Sequence, residues 1–303
     1  MAFQNRIPRS ASYKGQMAIF FCAILWSTSG LFIKLMSWHP VIIAASRSGI
    51  AVLFLLGVRL LFPRKGANKN TLFGKNHPFN RRTLFPILAG GLAYAATMLS
   101  FVIANKLTAS ANAVLLQYSA PIWAALIGWA FIKEKPYWEH WGALVMVMGG
   151  LFLFFKDGLT GGSALGNGIA LLSGIFFGAN SVFMRMQKEG NPADSMLLAH
   201  ILCTAAGIPF LFFFPPVLSV PSVSAILFMG IIQIGCASLL FAYGIRRITA
   251  IQAMLTAMIE PILNPVWVFA VTGEKPSASA VLGGSIIVAA VMVSSIIGKR
   301  RER

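Results

Sequence analysis

The stretch from Ile259 to Pro276, IEPILNPVWVFAVTGEKP, puts a carboxylate, an amide and two prolines inside an apolar run long enough to cross a bilayer. On a helix, Glu260, Asn264 and Trp267 fall at i, i+4 and i+7, so they share one face. The chain carries this stretch twice. Ser119 to Pro136, SAPIWAALIGWAFIKEKP, repeats it 140 residues earlier, with Pro121-Ile122 on Pro261-Ile262 and Glu134-Lys135-Pro136 on Glu274-Lys275-Pro276. A membrane protein built from two related halves is the reading that follows.

Composition agrees. The 303 residues are 57% hydrophobic and only 11% charged, with a mean hydropathy of +0.76, whereas soluble domains carry about 25% charged residues. Apolar runs of roughly 20 residues, the length a spanning helix needs, recur throughout. The expected spans are 17–35, 40–58, 84–104, 111–132, 140–156, 164–184, 196–214, 223–245, 251–272 and 280–297. The expected fold class is therefore an all-α integral membrane protein of ten transmembrane helices. Trp138, Trp141 and Phe155 flank the short fifth span as interfacial anchors do. The N-terminal basic segment (Arg6, Arg9, Lys14) precedes a long run with no small-residue cleavage site, so the first helix reads as retained.

The net charge of +17 sits in short loops between spans, not on the basic face of a folded module, and nucleic acid is not an expected partner. Instead, basic residues alternate from side to side. Twenty of the 25, including Arg185, Arg246, Arg247 and the C-terminal group from Lys299, follow every second connection; the other side has Lys34, Lys106, Lys156 and Lys275. The positive-inside rule then places both termini in the cytoplasm, which requires an even number of spans. Cys22, Cys203 and Cys236 all lie within spans, so neither a disulfide framework nor a metal cluster is implied, and no cofactor is expected.

The repeat extends further. Residues 15–36 align without gaps on 166–187, placing Lys34 on Arg185, and 106–109 corresponds to 247–250. Two halves of five spans result, 15–157 and 164–298. Five is odd, so the second half enters the membrane from the opposite side. That plan, two inverted five-helix repeats, is common among secondary transporters, with sites near the midplane between the halves. The repeat is also uneven. Glu260 is matched by Ala120 and Asn264 by Ala124, while Arg47 falls near the place of His200. Polar groups kept in one half suit a single asymmetric site.

Trp26-Ser27, the SRSG run at 46–49, Pro121 and the two Glu-Lys-Pro endings resemble the drug/metabolite transporter superfamily, EamA type. The resemblance covers nearly the whole chain. It implies ten helices, cytoplasmic termini, and secondary transport, commonly export, of a small organic solute across the cytoplasmic (inner) membrane. Amino acids and other metabolites are the expected class.

Arg47 and Glu260 are the only charges well inside expected spans. Mid-bilayer charges face the bundle interior or water, and two roles are open for each: contact with substrate or a coupling proton, or a structural ion pair. Burial and a neighbouring Arg47 act in opposite senses on whether Glu260 holds a proton. Trp26, Ser27, Asn180, Gln117, Tyr118, Asn264 and Trp267, with Thr28, Tyr94, Thr97, Gln233 and Tyr243, are candidate cavity lining, although such residues also join helices. His200 is a candidate proton site or a satisfied buried histidine. Pro121, Pro261 and Pro265 interrupt the backbone ladder, as hinges or static kinks. Glu134 and Glu274 read as helix-boundary residues, Lys34 and Arg185 as cations reaching back to the interface. A channel, a scaffold or an intramembrane enzyme are the competing readings. An enzyme needs a nucleophile–base or metal set; of four histidines only His200 lies in a span, and no catalytic residue is assigned.

Overall fold

The computed structural model describes residues 9–28, 32, 36–62, 81–159, 163–272 and 277–301. Every regular element among them is helical: α1 (Arg9–Ser27), α2 (Pro40–Leu61), α3 (Arg81–Leu107), α4 (Ser110–Gln117), α5 (Ala120–Ile132), α6 (Trp138–Phe155), α7 (Ala164–Met186), α8 (Ala193–Phe213), α9 (Val220–Phe228), α10 (Ala237–Ile245), α11 (Ala250–Ala257), α12 (Glu260–Thr272) and α13 (Ala278–Arg301). A π-helical stretch, Met229–Cys236, joins α9 to α10.

Seven of these, counting α4–α5 and α9–α10 each as one, are long and apolar enough to cross a membrane; Ala250–Leu263 and Ala278–Ser294 are shorter apolar helices. Their outer surface is apolar as well. Leu60, Phe212 and Val220 are 80%, 82% and 84% exposed, an arrangement that lipid accepts and water does not. The helix α1 starts at Arg9, before the expected Met17. Its polar first turns are held against α10, and Ser12 and Gly15 are buried there.

The packing pairs are α2 with α8, α6 with α13, α5 with α11, α3 with α7 and α8, α4 and α5 with α7, and α1 with α10, α11 and α12. One core forms around Ile19, Trp26, Phe177, Met184, Phe241 and Met254. A second, of Val147, Leu151, Leu255, Met258 and Ile287, lies between α6, α11 and α13. The site described next lies where α1, α5, α11 and α12 meet.

Candidate functional site

Two expected spans are each broken into two helices, and the breaks are 140 residues apart. In the first, α4 ends at Gln117, Tyr118 and Ser119 turn, and α5 starts at Ala120-Pro121. In the second, α11 ends at Ala257, Met258 and Ile259 turn, and α12 starts at Glu260-Pro261. Each proline thus occupies the first turn of its helix, where a missing N–H costs least. Pro121 and Pro261 therefore mark the start of a new helix and do not kink a continuous one. Upstream, α11 opens on a capping box: Thr249 Oγ1 accepts from Gln252 N at 3.3 Å and Gln252 Oε1 accepts from Thr249 N at 3.1 Å.

Because α5 packs on α11, the two breaks face each other. Tyr118, at the first break, lies within electrostatic reach of the Glu260 carboxylate at the second. Arg47, on α2, is partly buried and within electrostatic reach of Glu260, Tyr94 and Cys203.

An aromatic box lies beside this pair. Trp26 packs on Tyr94, Phe177 and Phe241 with ring centroids 6.5, 6.0 and 5.4 Å away. Its neighbour Ser27 donates to the Ile24 carbonyl at 2.7 Å and accepts the Trp267 indole N–H at 2.8 Å. The sequence-derived trio Trp26, Ser27 and Trp267 is thereby joined across α1 and α12. Gln233, in the π stretch, donates to the Trp26 carbonyl at 3.3 Å; local π geometry often accompanies functional positions.

Several polar atoms here are buried with no hydrogen-bond partner: Arg47 Nε, both amide atoms of Asn180, His200 Nδ1 and Gln233 Oε1. An orphaned buried polar group costs about 1–3 kcal/mol, so each of these is a feature to explain. The other nitrogen of His200, Nε2, is 3.0 Å from Ser238 Oγ, and Tyr94 packs edge-on against its ring. Both donors and acceptors are present, which suits a small polar solute with an apolar part laid against the aromatic box.

Other expected residues stand elsewhere. Gln117 donates to Ser173 Oγ at 2.9 Å, and Ser173 in turn donates to the Thr97 carbonyl at 3.1 Å, a chain of bonds that ties α4, α7 and α3 together. Thr28 bonds the Leu25 carbonyl of its own helix. Tyr243 lies beneath the Arg247 guanidinium, 3.4 Å from its ring centroid, at the basic end of α10. Asn264 and Pro265 belong to α12, but their side chains fall outside the described residues, as do Lys34 and Glu274 entirely.

Arg185 departs from expectation. It does not reach out to an interface: it is buried, 4% exposed, and pairs with Glu134 at 2.9 Å. Three unlike charges or dipoles explain the burial, since Arg185 also donates to the carbonyls of Ile245 and Arg246 at 3.1 and 2.7 Å. The clue in the sequence is that Glu134 and Arg185 end spans at the same predicted membrane face. Phe177 and Phe241 carried no such clue, being indistinguishable from other apolar residues.

Residues 13–156 and 164–296 each match the EamA-like transporter family. The chain belongs to this family. It is accordingly a multi-pass membrane protein of the drug/metabolite transporter superfamily. The uncharacterized transporter YwfM of Bacillus subtilis (strain 168) is 25% identical over 188 residues, 61% of this chain and 64% of that relative. The uncharacterized transporter YdfC of the same organism is 26% identical over 215 residues, covering 67% and 68%. An uncharacterized transporter of Archaeoglobus fulgidus (strain ATCC 49558 / DSM 4304 / JCM 9628 / NBRC 100126 / VC-16) is 25% identical over 201 residues, covering 65% and 72%. The aligned stretch is thus under two thirds of the first relative's length. A protein of known crystal structure superposes with a TM-score of 0.79 at 18% identity, over 97% of this chain and 100% of its own; the likeness is one of fold.

Proposed function

We propose that the protein is a secondary transporter that moves a small organic solute, amino-acid-like or another metabolite, outward across the cytoplasmic membrane by alternating access. In this reading ten helices cross the membrane, both termini lie in the cytoplasm, and 15–157 and 164–298 are two inverted repeats. The packing supports it. Exchanging the halves sends α1 to α7, α2 to α8, α3 to α9–α10, α4–α5 to α11–α12 and α6 to α13. The pairs α2–α8 and α6–α13 then map onto themselves, as does the contact between the two broken spans α4–α5 and α11–α12, and α3–α7 maps onto α10–α1. An axis in the membrane plane is the symmetry that five-span halves require.

The observation that carries the reading is the place of Glu260, the first residue after the second of two breaks that face each other, with unpartnered polar atoms of Arg47 and His200 also buried. Glu260 and Arg47 offer opposite charges to a zwitterion, and Glu260 is the group assigned to proton coupling. Asn180, His200, Trp26 and Trp267 line the path, and the turns before Pro121 and Pro261 flex.

A metabolite screen on purified protein in sealed vesicles tests this. The expected result is solute flux that saturates and follows a proton gradient. Flux proportional to concentration without saturation would make the protein a channel, and no flux for any solute would favour a scaffold.

A further inference from the structure

We propose that Glu134 and Arg185 form the inner gate of the transport cycle, a closing contact separate from the central site. The inference rests on the transport reading above. The helix α5 ends at Ile132, and Lys133 takes a left-handed turn with φ of 58°. That turn lets Glu134 N bond back to the Gly128 carbonyl at 3.3 Å and aims the Glu134 side chain inward. There its Oε1 accepts from Arg185 Nε at 2.9 Å and its Oε2 from Ala250 N at 3.4 Å. Arg185, from the last turn of α7, also donates to the carbonyls of Ile245 and Arg246.

The pair therefore lies between the C-terminus of α10 and the N-terminus of α11. The cation faces the carbonyl end and the carboxylate faces the N–H end, each matched to the partial charge it meets. Four elements, α5, α7, α10 and α11, are drawn together at the end of the bundle that carries Arg246 and Arg247. A static staple of one loop would need only the bonds to α10 and α11. This arrangement also ties α5 and α11, the two helices whose breaks meet at Glu260. Releasing the pair frees both to part on that side.

The repeat supplies a counterpart. In sequence Lys34 aligns with Arg185, and Glu274 with Glu134. Charge-assisted bonds of this kind are about twice as strong as neutral ones and can still be broken in each cycle.

The test reads side-specific access without any solute. Cys22 and Cys203 lie deep in the bundle, 0% and 1% exposed. In a Cys236→Ser background, a membrane-impermeant maleimide is applied to inside-out and right-side-out vesicles. Glu134→Gln is expected to speed labelling from the cytoplasmic side about tenfold, the factor one lost charge-assisted bond gives, without acceleration from the outer side. Arg185→Lys keeps the charge but not the fork, and is expected to move labelling the same way by less; it serves if Glu134→Gln fails to fold. Equal acceleration from both sides, or unchanged labelling with a lowered Tm, would overturn the gate and leave a structural staple. Because no solute is present, a failed flux assay bears on the transport reading alone. Saturable wild-type flux with unchanged labelling in both variants removes only the gate.

Discussion

The two broken helices divide at equivalent residues and yet are built for different purposes. The first break is packed shut. A Cβ on Gly178 would lie 2.7 Å from the Ala120 carbonyl and 2.8 Å from Ala124 N, and one on Gly174 would lie 2.7 Å from Ser119 Oγ. Two glycines of α7 thus bring backbone against backbone, as small residues do in membrane bundles. Ser119 closes the turn itself, donating to the Leu116 carbonyl at 2.7 Å and accepting from Trp123 Nε1 at 3.1 Å. At the second break the corresponding residues of α1 are Ala23 and Ser27, and Ser27 holds Trp267. The place of Ala120 is taken by Glu260. One break is a tightly packed support; the other carries the charge. The same backbone feature can therefore be duplicated while the chemistry stays single.

The harshest way to break this contrast is to copy the charge. Ala120 is 1% exposed and faces the Gly178 backbone, so Ala120→Glu buries a carboxylate with no cation at hand. The expected loss is about 3 kcal/mol, the scale of an unpaired charge at mid-bilayer, seen as poor insertion or a lower midpoint in detergent unfolding. A stable Ala120→Glu protein with new pH-dependent transport would mean that the two breaks are interchangeable.

Removing the charge where it belongs comes next. Glu260→Gln keeps the shape and removes the charge. The expected outcome is a folded protein whose transport falls about tenfold or more, equivalent to roughly 1.4 kcal/mol, and no longer responds to an imposed pH gradient. A stable Gln variant with the wild-type rate and the wild-type pH response would take Glu260 out of both substrate binding and coupling.

The Ser27–Trp267 contact is a finer probe. Each of Ser27→Ala and Trp267→Phe is expected to cost about 1 kcal/mol, the net value of one hydrogen bond. The double variant should cost less than the sum, because both changes delete the same bond. Additive losses, measured by unfolding in detergent, would show that the indole and the hydroxyl are held by other contacts.

Much of this was legible because hydropathy and repeats are written in every residue. The run lengths give the seven helices of membrane-crossing length among the described residues, and the 140-residue offset pairs the prolines at the start of α5 and α12. Ser27 and Trp267 were picked out as polar or amphipathic residues in apolar runs, and they meet. Pairings across long separations were less legible. Arg185 and Glu134 are 51 residues apart in sequence, and each reads alone as a boundary residue. The π stretch around Gln233 has no periodicity signal at all, because one inserted residue per turn depends on how α2 packs against it. Side-chain type finds the charged groups; only packing says which of them are enclosed.

The mildest probe stays away from both breaks. Asp157 follows the end of α6 and is fully exposed, and it accepts a hydrogen bond from Ser279 in the first turn of α13. The hydroxyls of Ser279 and then Ser277 hold its carboxyl below the usual carboxylate range. A lowered folded-state value means that the contact stabilises at neutral pH. That stabilisation is fully present above the unfolded value and fades as pH falls through the folded one. Asp157→Asn is therefore expected to lower the unfolding midpoint slightly at pH 7 and not at all in strong acid, where the native carboxyl is protonated too. Transport and the side-specific labelling of Cys22 and Cys203 should stay at wild-type values, since Asp157 and Ser279 belong to neither break nor to the Glu134–Arg185 contact. A change in either would mean that this end of the bundle moves with the breaks, and the contrast between a fixed and a working half would have to extend to α6 and α13.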